Sequence, residues 1–84
     1  MGKEILIANQ ISDRKGNFTA DIHVDDTKTG KAEWLKLIVF LTDGVQTRRI
    51  KNGSKDIIAE ARSEKGRPLA ADEVHDWARS EIWK

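Results

Sequence analysis

The sequence contains no cysteine, no tyrosine and only one proline in its 84 residues. The absence of cysteine excludes a disulfide framework and a cysteine-based zinc site, so stability must come from packing or from association. The longest unbroken apolar run, residues 37–41, is far too short for a helix that spans a membrane. Residues 1–10 contain no long apolar stretch with a cleavage site, so we expect a soluble, cytoplasmic protein.

The length allows one small domain, residues 1–84, with a thin core. The formal net charge is +1, but the charges are unevenly placed along the chain. Residues 27–55 contain seven basic and two acidic side chains, whereas acidic side chains predominate in residues 1–26 and 56–84. This distribution indicates one electropositive surface, and the alternative is an ordinary solvated loop region.

Catalysis is not indicated by the residues present. The two histidines, His23 and His75, are far apart in sequence, and no phosphate-binding glycine loop is present. A metal cluster over residues 23–26 would need a second pair of ligands, and none follows, so a solvated strand end explains these residues better. We therefore expect no enzyme activity, no catalytic residue, no metal and no cofactor.

Period-two alternation is the clearest structural signal. Apolar and polar residues alternate from Phe18 to Val24, which predicts a half-buried strand, and a second strand is predicted over residues 3–9. Residues 33–41 favour a strand over a helix, since Gly30 precedes them and Asp43-Gly44 follows them. One face of that strand is aliphatic and is expected to meet the core: Leu35, Leu37, Val39 and Leu41.

Three further segments remain open between strand and helix. Residues 45–52 follow the Asp43-Gly44 turn and fit an edge strand or a short helical connection, because they are too polar for a central strand. Residues 54–65 fit a helix with a Ser54 cap, or a strand. Residues 71–83 have a helical apolar stripe, and residues 77–83 also fit a strand.

The second face of residues 33–41 contains candidate binding residues: Trp34, Lys36, Ile38 and Phe40. Spaced aromatic rings on a sheet face can stack on the bases of a single-stranded nucleic acid, while an interleaved lysine offsets phosphate charge. The alternative is that both faces of the strand are buried, as in a central strand of a small barrel or sandwich.

Several short segments form a further pattern by their order and spacing. They are KEILIAN at residues 3–9, NFT at 17–19, EWLKLIVF at 33–40, KNGS at 51–54, IIAEAR at 57–62 and, more weakly, ARSEIW at 78–83. In this order they resemble the bacterial single-stranded DNA-binding protein family. The sequence departs from the family at Ala61, where the family has glycine, and it lacks the family's acidic tail.

The resemblance implies an OB-fold, a small five-stranded barrel whose second and third strands bind oligonucleotides. It implies strands at residues 33–41 and 56–63 and a connecting helix or turn at residues 43–51. The implied function is non-enzymatic binding of single-stranded DNA or RNA. The expected binding residues are two aromatic residues that stack on bases, a lysine between them and three arginines that attract the nucleic-acid backbone: Trp34, Phe40, Lys36, Arg48, Arg49 and Arg62.

The alternative function is a small protein-binding or inhibitory accessory module, of bacterial or phage type, without nucleic-acid binding. The near-zero net charge favours it, and the same apolar face would then meet a protein partner or a second copy. Its fold would be α+β, an antiparallel sheet with two C-terminal helices at residues 54–65 and 71–83. We also expect self-association into a homo-oligomer through Trp83, because neither a helix nor a strand clearly buries that side chain.

Overall fold

The computed structural model describes residues 2–63 and 67–84, which form one antiparallel sheet and one helix. The elements in chain order are β1 (Lys3–Ser12), β2 (Phe18–Asp26), β3 (Lys31–Thr42), β4 (Val45–Asn52), β5 (Asp56–Arg62) and α1 (Ala71–Trp83). Each strand pairs with the next one, so the spatial order is the chain order. The helix packs against one face of the sheet.

A mainly β fold with five strands is confirmed. Among the described residues β1 and β5 are separate edges of an open sheet, so the barrel that the OB-fold resemblance implies is not observed. The alternative with two C-terminal helices is wrong, because β5 occupies most of residues 54–65, of which 64 and 65 lie outside the described residues.

The core lies between the sheet and α1. The aliphatic face predicted for β3 meets this core through Leu35, Leu37 and Val39, which are buried, whereas Leu41 is only partly buried. Three buried helix residues at intervals of four cover this face: Val74, Ala78 and Ile82. Of the two alternatives left open for the C-terminal segment, the helix is observed and the strand at residues 77–83 is not, because this stripe buries its apolar side chains only when the segment is helical.

The Asp43-Gly44 turn joins β3 to β4 as predicted. Both residues have positive φ angles, 51° and 78°, and Thr42 pairs directly with Val45, so the hairpin loop has two residues. Asp-Gly is a preferred sequence for such a loop because both positions require the left-handed region. The connecting helix or turn implied for residues 43–51 is therefore confined to residues 43–44, and the remainder is wrong, since β4 begins immediately after this loop.

Strand β4 lies between β3 and β5 and is not an edge strand, despite its polar sequence. Its buried polar residue Gln46 donates a hydrogen bond to the carbonyl of Leu69 (2.9 Å) and accepts one from the Leu69 N–H (3.1 Å). A buried amide is tolerated when it is hydrogen-bonded in this way. Gln46 therefore holds the segment that leads into α1 against the sheet.

Strand β1 contains a bulge between Ala8 and Ile11, where Asn9 has a φ angle of 54°. The shift in register places Ile11 opposite Thr19, on the face of the sheet away from α1.

Within the described residues, no helix is long and apolar enough to cross a membrane.

Candidate functional site

The sheet face opposite α1 is called the open face here, because no element among the described residues packs over it. It consists of the side chains that alternate with the core residues on each strand. Its members are Glu4, Leu6, Ala8, Ile11, Thr19, Asp21, His23, Asp25, Trp34, Lys36, Ile38, Phe40, Thr47, Arg49, Lys51, Ile57, Glu60 and Arg62. Large apolar side chains are exposed here, so the face is suited to contact a ligand.

Trp34 forms an aromatic pair with His23 on the open face. The two residues are directly opposite in the β2–β3 ladder, their ring centroids are 4.7 Å apart, and the rings are tilted by 44°. Leu6 lies opposite His23 on the other side. The side chains therefore form one row of apolar and aromatic groups, in which Trp34 is 56% exposed.

Lys36 forms an ion pair with Asp21, with 2.5 Å between Nζ and Oδ1. Asn9, at the β1 bulge, donates a second hydrogen bond to Oδ2 of the same carboxylate at 3.1 Å. The hydrogen bond from Lys36, followed by that from Asn9, lowers the pKa of Asp21 below its ordinary value. The carboxylate is therefore charged at neutral pH and balances the charge of Lys36.

Phe40 and Arg49 form a cation–π pair at the other end of β3. The Arg49 guanidinium carbon lies 5.1 Å from the centroid of the Phe40 ring, and Arg49 Nε donates to the Glu60 carboxylate. Trp34 and Phe40 are six residues apart on one strand, which separates them by about 20 Å. The open face thus contains two rings, the exposed Trp34 beside His23 and the partly buried Phe40 beside Arg49, with Lys36 between them.

The structure brings together five of the six residues predicted to bind. Trp34, Lys36, Phe40, Arg49 and Arg62 lie on the open face.

Arg48 does not belong to this group. It is 8% exposed and its guanidinium lies 5.4 Å from the ring centroid of Trp77, on the side of the sheet that α1 covers. The reason is that neighbouring residues of a strand point to opposite faces, so Arg48 and Arg49 cannot share one surface. Arg48 therefore packs under the helix and is removed from the candidate site.

The sequence pattern did not single out His23 and Lys51 as site residues. His23 is recognisable only from the β2–β3 register, which places it opposite Trp34. Lys51 is recognisable only from the β3–β4 register, which places it opposite Lys36. Alternation along one strand identifies a face, but it does not identify the neighbour across the ladder.

A cleft with a volume of about 620 Å³ lies on the helix side, beside the C-terminal end of α1. Its floor is apolar, and its rim includes both lysines and carboxylates. The described residues contain no group of three His, Asp or Glu side chains arranged to bind a metal ion.

Comparisons with protein-family models, curated proteins and solved structures found no match.

Proposed function

We propose that the protein binds single-stranded DNA or RNA on the open face, without catalysing a reaction. The observation that supports this function is the alignment of Trp34, Lys36 and Phe40 along the outward side of β3. Every nucleobase has a π-face that can stack on an indole or phenyl ring, and a lysine between two rings offsets phosphate charge.

A single strand fits this surface better than a duplex. Unpaired bases turn their faces toward a flat sheet and stack on its aromatic side chains, whereas duplex bases are accessible only at their edges in the grooves. An element that enters a major groove is a protruding helix or a two-stranded ribbon. The one helix in the described residues lies on the opposite side of the sheet.

The proposal does not require a closed OB-fold barrel. Base stacking needs exposed rings on a rigid sheet, and β3 provides that support because its other face is part of the core. Arg49 and Arg62 lie on the same surface, where they attract the nucleic-acid backbone. Binding of this kind tolerates many base sequences and weakens as salt increases.

The test is a titration of fluorescently labelled oligothymidylate, followed by anisotropy at low and moderate salt. Trp34→Ala and Phe40→Ala are each expected to weaken binding by about tenfold or more, since one stacked base is worth about 1–3 kcal/mol. Trp83→Ala is the matched control, because Trp83 is 55% exposed and lies at the end of α1. Circular dichroism checks that each variant is folded.

A protein-binding module is the second candidate function. The observation that favours it is the exposure of Leu6 and Ile11, 59% and 72%, on the β1 side of the open face. Under the nucleic-acid proposal, Leu6→Ala and Ile11→Ala change oligothymidylate affinity by less than twofold. Wild-type protein that does not bind oligothymidylate even at low salt would contradict that proposal and favour the protein-binding module.

A further inference from the structure

Charged side chains are segregated across the open face. The half formed by β1 and β2 contains three carboxylates: Glu4, Asp21 and Asp25. No described side chain on that half of the open face is a lysine or arginine. The half formed by β4 and β5 contains Arg49, Lys51 and Arg62, with Glu60 as its carboxylate. Strand β3, with Trp34 and Phe40, lies between the two halves.

We infer that a bound single strand runs parallel to β3, with its bases over β3 and its phosphates over β4 and β5. This inference rests on the proposed function. Phosphates are attracted to the basic half and repelled by the carboxylates of the acidic half. A strand that crossed the sheet from β1 to β5 would place its phosphates beside Glu4 and Asp25, whose charges no described lysine or arginine on the open face of β1 or β2 offsets. Asp21 on the same half is already paired with Lys36 of β3.

The register places the basic side chains in positions that match this path. Lys51 lies opposite Lys36, Arg49 lies opposite Ile38, and Arg62 is separated from Phe40 only by Thr47. Successive outward positions on a strand are about 6.6–6.8 Å apart. The cations therefore form a column beside the outward side chains of β3 and extend in the same direction.

The pairing of Lys36 with Lys51 supports a ligand role for Lys51. Lys51 lies directly opposite Lys36, and like charges in such an antiparallel pair are destabilising unless they are compensated. Asp21 balances Lys36, and Lys51 Nζ donates to the carbonyl of Ser54 at 3.0 Å. A phosphate over β4 would compensate the charge of Lys51, and Lys51 is therefore assigned as a phosphate-contacting residue.

Charge variants test the side on which the phosphates lie. Lys51→Glu and Arg62→Glu are each expected to weaken oligothymidylate binding by about tenfold, and loss of one phosphate contact lowers the salt slope by about 0.7. Lys28→Glu is the matched control, since Lys28 is exposed in the turn between β2 and β3 and the net charge changes equally. Equal losses for Lys28→Glu and Lys51→Glu would overturn the inference.

The absence of cysteine allows the path to be mapped with single introduced cysteines that carry a photo-crosslinker. Ala32→Cys and Thr42→Cys mark the two ends of β3, whereas Ala8→Cys and Ile57→Cys mark the two sides of the sheet. End-labelled oligothymidylate is expected to crosslink at Ala32→Cys from one terminus and at Thr42→Cys from the other.

Terminal crosslinks at Ala8→Cys and Ile57→Cys instead would overturn the path, although nucleic-acid binding itself would stand. Wild-type protein that does not bind would overturn both the path and the proposed function. The two failures are therefore distinguishable in one set of experiments.

Discussion

His23 lies directly across the β2–β3 ladder from Trp34, and their ring centroids are 4.7 Å apart. The contact supports one side of the indole ring, while more than half of Trp34 remains exposed. An aromatic side chain that is held in place before binding loses less conformational entropy when a base stacks on it. The His23–Trp34 pair is therefore a preorganised end of the candidate interface.

Removal of the Asp21 carboxylate is expected to strengthen oligothymidylate binding, because Asp21 competes with phosphate for Lys36. An exposed ion pair is worth about 0.2–1 kcal/mol, so Asp21→Asn is expected to raise affinity by up to about fivefold. Fluorescence anisotropy measures the change. Asp76→Asn, on an exposed position of α1, alters the net charge equally and serves as the control. Weaker binding by Asp21→Asn would contradict this role.

A test of the hydrophobic core concerns Leu37. This residue of β3 is fully buried on the helix side of the sheet, with β2 and β4 as its neighbouring strands. Leu37→Ala is expected to lower the free energy of unfolding by about 2–5 kcal/mol, because a cavity remains where the side chain was. Urea denaturation followed by circular dichroism measures this change. A loss below about 0.5 kcal/mol would show that Leu37 is not part of a well-packed core.

The pKa of His75 predicts how stability depends on pH. Burial, and then the charge of Arg79, lowers the pKa of His75 below 6.5; Asp72 and Asp76 act in the opposite direction. Its Nε2 is buried and has no hydrogen-bond partner among the described residues, and its ring lies edge-on to Phe18. The unfolded chain therefore binds a proton more readily, and stability falls as pH decreases through about 6.5.

Thermal unfolding between pH 7.5 and pH 5 measures this dependence. His75→Phe is expected to reduce the loss of melting temperature toward acid, whereas His23→Gln, at the other histidine, is expected to retain the dependence contributed by His75. An NMR titration that places the pKa of His75 above 6.5 would contradict the prediction.

Trp83 is the proposed contact for self-association, because it is exposed at the end of α1 while Ile82 beside it is buried. Sedimentation velocity at high micromolar concentration is expected to show a homo-oligomer for the wild type and a shift toward monomer for Trp83→Ala. The matched variant is Trp34→Ala, which removes an equally large indole from the open face. A monomeric wild type under these conditions would remove this proposal.

The sequence was most informative where one face of a strand is buried. In β2 and β3 the alternation of apolar and polar residues predicts both the strands and the side that meets the core, because the side-chain period of a strand is two. The Asp43-Gly44 loop was predictable for a local reason, since both residues adopt the left-handed region. The outward position of Trp34, Lys36 and Phe40 follows from the same alternation.

The features that the sequence predicted wrongly or left open depend on tertiary contacts. Strand β4 is central although it is polar, because Gln46 bonds to Leu69 and Arg48 packs on Trp77, and both partners lie beyond β5 in the chain. Residues 77–83 alone fit a strand, and only packing on the sheet favours the helix. His23 and Lys51 required the ladder registers, which local sequence does not specify.

The most direct test of the proposed function is to compare Trp34→Ala with Trp83→Ala in binding a short oligothymidylate that one open face accommodates. The two indoles are 56% and 55% exposed but lie on opposite sides of the protein, so loss of exposed apolar surface is matched. We predict that Trp34→Ala weakens binding by about tenfold or more and that Trp83→Ala leaves it within twofold of the wild type. Equal affinities for the two variants, with both proteins folded, would contradict a base-stacking role for the open face.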